Sequence, residues 1–117
     1  MKVKLWGFLL LCGAALAPAQ SLQVLYPNGG EILFTHSTVQ IQWTPVNPEM
    51  RIVILLFREG AQAVIIAGDI PGSGSFAWKI PDQIQPGNLY RIRIRALSNL
   101  SVNDFSDRDF SIRKQEN

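Results

Sequence analysis

The chain has 117 residues, with 11 Lys or Arg, 9 Asp or Glu, one histidine and one cysteine. Lys2 and Lys4 precede an N-terminal apolar stretch and every acidic residue lies beyond residue 20, so residues 20–117 carry no formal net charge. That balance removes the usual basis for a nucleic-acid partner, and with Cys12 inside the apolar stretch the remainder must be held by its core, without a disulfide.

Lys2 and Lys4 followed by apolar residues from Leu5 to about Leu16, then Ala17-Pro18-Ala19, have the layout of a cleaved secretion signal over residues 1–19. The apolar stretch is shorter than the ~20 residues that span a bilayer, so no membrane span is expected after cleavage. Lipidation of Cys12 is a lesser alternative, because Leu11 is large where such processing favours a small residue. The expected product is secreted, periplasmic or cell-surface. Residues 20–117 suit a single domain, a length that buries somewhat over ~60% of the surface of the unfolded chain.

Beyond the leader, runs rich in Val, Ile and aromatic residues alternate with Gly, Pro, Asn and Asp, and no helical period is sustained. The runs are Leu22 to Tyr26, a short piece from Glu31 to Phe34, Val39 to Thr44, Arg51 to Arg58, Ala63 to Ala67, Ser75 to Ile80, Leu89 to Leu97 and Phe105 to Arg113. They predict an all-β antiparallel sandwich of about seven strands, with Glu59-Gly60 as a hairpin and Pro71 to Gly74 as a loop. Parity puts Ile41 with Trp43, Phe76 with Trp78, and Phe110 with Ile112 on inward faces. Tyr90, Ile92, Ile94 and Ala96 likewise face inward, which turns Arg91, Arg93 and Arg95 outward as a guanidinium stripe. Trp43, Trp78, Tyr90 and Phe110 are thus the expected core. The run from Ile52 to Phe57 is apolar on both faces and needs a cover, either a loop or the apolar Val64-Ile65-Ile66; an exposed partner-binding patch is the other reading.

Five segments in this order carry a resemblance: Tyr-Pro-Asn-Gly-Gly-Glu at 26–31, Ile-Gln-Trp at 41–43, Gly-Ser-Phe-Ala-Trp-Lys-Ile-Pro at 74–81, Tyr-Arg-Ile-Arg-Ile at 90–94 and Asp-Phe-Ser-Asp-Arg-Asp-Phe-Ser-Ile at 104–112. Together they resemble the Ser/Thr-rich GPI-anchored membrane protein family, which includes the N-terminal module of fungal cell-wall β-glucan synthesis proteins. The resemblance implies an immunoglobulin- or fibronectin-III-like sandwich outside the cytoplasm, with no catalytic residues to carry over. Ile84-Gln85-Pro86-Gly87-Asn88-Leu89-Tyr90 further resembles the fibronectin type III corner, where a tyrosine at the start of a strand bonds back to nearby backbone.

Chemistry is sparse. His36, in Thr35-His36-Ser37-Thr38, is the only histidine, and neither a triad nor a zinc site is suggested around it. No cofactor and no enzymatic activity are expected. Asp104, Asp107 and Asp109 are spaced unlike an EF-hand loop; they could take part in holding Ca²⁺, but capping the turn and opposing the arginines is the simpler expectation. Arg91, Arg93 and Arg95 could engage phosphate or acidic glycans, or be a solvated face balanced by those aspartates. Asn99-Leu100-Ser101 is a glycosylation sequon, meaningful in a eukaryotic secretory pathway. The sequence therefore predicts a non-catalytic exported module that binds a surface glycan or an envelope protein, through Arg91, Arg93, Arg95 and the loops at His36 and Gly72 to Gly74. The alternative is an assembly protein that pairs through its apolar sheet face or an open edge.

Overall fold

A computed structural model describes residues 21–45, 47 and 49–116. The expected leader over residues 1–19, its expected cleavage site and Cys12 lie outside the described residues. Two sheets are formed by nine strands among them: β1 (Val24–Tyr26), β2 (Ile32–Phe34), β3 (Thr38–Trp43), β4 (Arg51–Arg58), β5 (Ala61–Pro71), β6 (Ser75–Lys79), β7 (Gly87–Ala96), β8 (Asn103–Phe105) and β9 (Phe110–Arg113). The smaller sheet runs β1-β3-β6. The larger runs β2-β9-β7-β4-β5, with β8 also paired to β7. All pairs are antiparallel except β2 with β9. The described residues contain no helix long and apolar enough to cross a membrane.

Alternation explains the layers. On β3, Ile41 and Trp43 are buried while Gln40 and Gln42 are exposed, and on β6 Trp78 is buried between exposed Ala77 and Lys79. From the other sheet, Ile52, Ile54, Leu56, Ile92, Ile94, Phe110 and Ile112 complete one core with Trp43 and Trp78. Burying such side chains contributes about 1.5–3 kcal/mol each. Tyr90 is buried in the same cluster and its hydroxyl donates to the Gln85 carbonyl, the corner that the Ile84 to Tyr90 segment predicts. Burial holds the Tyr90 hydroxyl above the usual range of a phenol.

Three details differ from the sequence reading. The edge strand β5 runs to Pro71, because three register shifts against β4 absorb its extra residues; proline is tolerated at an edge, where no ladder bond needs its nitrogen. The expected strand from Phe105 to Arg113 is two strands. Between them Ser106 is buried, accepting from Ile92 N at 3.0 Å and donating to Pro27 O at 2.8 Å, so a hydroxyl replaces one step of the ladder. Finally, Val64-Ile65-Ile66 covers β4 only from the side: Ile65 stands opposite Leu55 on its outward face and is itself 59% exposed, while Ile66 packs against the core.

The Ser106 hydroxyl also anchors the turn that joins β1 to β2. Asn28 Oδ1 accepts from Asp107 N at 2.7 Å, its Nδ2 donates to Asp107 Oδ2 at 3.0 Å, and Gly30 N donates to Asp109 O at 2.9 Å. Two motifs almost eighty residues apart thus form one unit. Gly29 has φ +147°, and a Cβ there would sit 2.7 Å from the Arg108 Cβ, so this close approach requires glycine.

Candidate functional site

Register decides what the arginine stripe does. In the β4–β7 ladder Arg95 is opposite Val53, Arg93 opposite Leu55 and Arg91 opposite Phe57. Residues directly opposite share a face, so the three arginines stand beside the outward apolar residues of β4 rather than over a polar surface. Val53 and Leu55 are only 5% exposed although they point away from Trp43, and the arginines are themselves half-buried. The arginines flank these residues from β7, and Ile65 flanks Leu55 from β5, positions from which aliphatic stems can shield them.

Each guanidinium has a distinct setting. Arg91 Nε donates to Asp109 Oδ1 at 3.0 Å. Arg93 Nε donates to Asn103 Oδ1 at 3.3 Å, and its guanidinium carbon stands 5.2 Å from the centroid of the Phe105 ring. Phe105 meets Phe57 edge-on, with centroids 5.0 Å apart and planes at 81°. Such an aromatic pair is worth about 0.5–1.5 kcal/mol beyond burial, and the cation over the ring about 0.5–1 kcal/mol at this half-exposed position. Arg95 Nε is buried without a hydrogen-bond partner among the described residues. Of the aspartates expected to balance the stripe only Asp109 does so, and the stripe is a half-buried roof, paired at Arg91 and stacked at Arg93.

Beside that roof lies a concavity of about 430 Å³ lined by Phe57, Glu59, Gly60, Leu89, Arg91, Phe105 and Asp109. Leu89 is 48% exposed within it. The Glu59-Gly60 hairpin forms one wall; both residues have positive φ, 52° and 83°, as the right-handed strand twist favours in a two-residue turn. Glu59 N donates to Leu89 O at 2.9 Å, which ties the hairpin to the start of β7. The Arg91–Asp109 pair is 41% and 38% exposed, so it adds at most about 1 kcal/mol to stability, but it presents a planar donor and an acceptor to the cavity.

The other residues singled out by sequence are elsewhere. His36 has φ 69°; its backbone nitrogen donates to Ile80 O at 2.8 Å and its Nε2 lies 3.2 Å from Asp82 Oδ1, which also takes Lys114 Nζ at 3.0 Å. Lys114, by hydrogen bond and charge, with a smaller contribution from His36, holds the Asp82 carboxyl below the usual carboxylate range. The fold does not bring His36 to the arginine face. The three aspartates diverge as well: Asp104 accepts from Val24 N, Asp107 from Asn28, and only Asp109 meets an arginine. Among the described residues no group of three or more His, Cys, Asp or Glu side chains is arranged to hold a metal ion. At the Gly72–Gly74 loop, Gly72 N donates to Met50 O and Gly74 O accepts from Trp43 N, so this backbone belongs to the sandwich. Asn99 is exposed, and its Oδ1 accepts from both the amide and the hydroxyl of Ser101.

The order of these elements, with a long β5, the β6 crossover and the Tyr90 corner, can be set against known proteins. Residues 26–112 match the family described as the Kre9/KNH-like N-terminal Ig-like domain. The chain belongs to this family. The match starts at the glycine turn and ends in β9, so both halves of the Ser106 lock fall inside the Ig-like domain. The chain is also similar to a structure titled "Structures of Clostridium thermocellum CbhA fibronectin(III)-like modules", with 16% identity and a TM-score of 0.56, covering 81% of this chain and 99% of that one. At that identity the likeness establishes the fold alone. No curated protein matches. Membership in a Kre9/KNH-like family implies a module related to the cell wall, of a kind that is generally non-catalytic.

What sequence reasoning missed is the concavity. The run Ile52 to Phe57 is apolar on both faces, so no alternation marks Phe57 as outward, and which side chains stand opposite it follows from inter-strand register, which no local pattern carries.

Proposed function

We propose that the protein is an exported, non-catalytic binding module that takes a neutral surface glycan in the concavity between the Glu59-Gly60 hairpin and Phe105. The observation that carries this reading is the combination in one recess of apolar walls from Phe57, Leu89 and Phe105 with the self-neutralised Arg91–Asp109 pair. Apolar walls with a few fixed polar groups are the composition of small-ligand sites, and rings and a leucine suit the C–H faces of a sugar while the pair suits its hydroxyls. Arg91 is paired to Asp109 and Arg93 is held by Asn103 and Phe105, which argues against a polyanion as the ligand. Family membership supports a cell-wall setting.

Retention of the purified protein on insoluble neutral polysaccharides, among them β-1,3-glucan, cellulose and chitin, tests the proposal. Retention is expected on at least one matrix, unchanged at high salt, and abolished by Leu89→Asp, which changes an exposed side chain of the recess. Failure to bind any neutral matrix, or binding that salt alone removes, sinks the glycan reading.

A further inference from the structure

The Asn28-Gly29 step has a covalent chemistry of its own. A glycine after asparagine offers no side chain to hinder attack of its backbone nitrogen on the asparagine Cγ. The N–Cγ bond forms, the Cγ–Nδ2 bond breaks, and ammonia leaves carrying the proton of the Gly29 nitrogen. Water then opens the resulting ring at either carbonyl, giving an aspartyl or an isoaspartyl residue. Here, however, every reacting group is restrained. Gly29 N donates to Glu31 Oε1 at 2.7 Å and Asn28 N donates to Glu31 Oε2 at 2.9 Å, so one carboxylate grips the attacking nitrogen and its neighbour. The Asn28 side chain is pinned at both atoms, Oδ1 by Asp107 N at 2.7 Å and Nδ2 by Asp107 Oδ2 at 3.0 Å.

We propose that Asn28 is a guarded deamidation site, with Glu31 as the guard, which reacts only when the β1–β2 turn opens. A hydrogen bond to a carboxylate opposes loss of the Gly29 proton, and the pinned side chain cannot swing its Cγ towards that nitrogen. The reaction is also self-propagating in its structural effect. The new carboxylate faces Asp107 Oδ2 where the amide donated, so repulsion replaces a hydrogen bond and the turn does not re-lock. Because Gly30 N bonds Asp109 O and the Asp109 carboxylate holds Arg91, the loosening reaches the wall of the concavity.

The test incubates the native protein and the same protein in concentrated urea side by side at mildly alkaline pH. Mass spectrometry of the peptide containing residue 28 follows conversion of amide to carboxyl and the isoaspartyl isomer. Conversion in the native protein is expected to be slower by at least about tenfold, the factor by which the turn is closed more often than open. Glu31→Ala that retains native tryptophan fluorescence is expected to lose most of this protection, and Glu59→Ala, an exposed acid elsewhere, to keep it. Should Glu31→Ala fail to fold, hydrogen exchange at the Gly29 amide of the native protein decides, and it is expected to be slowed by the same factor. Equal conversion in native and unfolded protein, full protection in folded Glu31→Ala, or a freely exchanging Gly29 amide overturns the proposal.

Discussion

Tyr90 shows how much one polar atom decides in a core of this size. Its ring packs near Phe110, with centroids 6.2 Å apart, while its hydroxyl reaches the Gln85 carbonyl. Tyr90→Phe keeps the ring and leaves that carbonyl without its donor, at an expected cost of about 1 kcal/mol. The pH dependence has a definite sign. Burial raises the hydroxyl pKa in the folded state above its ordinary 10.0, so the folded protein binds more protons than the unfolded chain between the two values. This contribution is fully present below pH 10.0 and is lost as pH rises through the folded value. Urea titrations on either side of pH 10.0 are expected to show a steep loss of stability in the wild type and a shallower one in Tyr90→Phe. Equal slopes would mean that the hydroxyl is not held as described. Tyr90 was legible in the sequence because a turn, a tyrosine and an alternating strand are all local signals. Ser106 was not, since a serine between two aspartate-rich steps reads as a strand residue or a loop residue until Pro27 and Ile92 are placed beside it.

At the scale of the element, the same division separates what alternation foretells from what pairing alone supplies. The inward faces of β3, β6, β7 and β9 follow from a period of two, and the structure buries Trp43, Trp78, Tyr90 and Phe110 on them. The outward face of β7 was equally legible as a row of arginines, but its meaning depended on β4 and β8, which stand on either side of it. Opposite Leu55 and beside Phe105, Arg93 acts as an amphipathic cover. A double-mutant cycle on Arg93→Gln and Phe105→Leu isolates this contact from the burial each side chain contributes separately. A coupling of about 0.5–1 kcal/mol is expected from chemical denaturation. A coupling indistinguishable from zero would reduce Arg93 to a solvated charge and would weaken the argument that the stripe is unavailable to polyanions.

For the whole molecule, the question is whether the sandwich works alone. The feature that favours assembly is β5, an edge strand of 11 residues with no charged side chain from Ala61 to Gly68 and with Ile65 59% exposed. An open apolar edge is a template for another strand. Against this stand the three register shifts between β4 and β5, which kink the edge so that only short pieces of it keep a regular ladder spacing, and Asp69 and Pro71 at its end. Bulges and a terminal proline are the means by which natural edges avoid pairing, and here they outweigh two exposed side chains. The expected outcome of light scattering over a wide concentration range is a constant monomer mass, unchanged by Ile65→Lys. A mass that rises with concentration in the wild type and not in Ile65→Lys would instead make β5 the working surface, because a single lysine at a 59% exposed position on the free edge disrupts strand addition without entering the core.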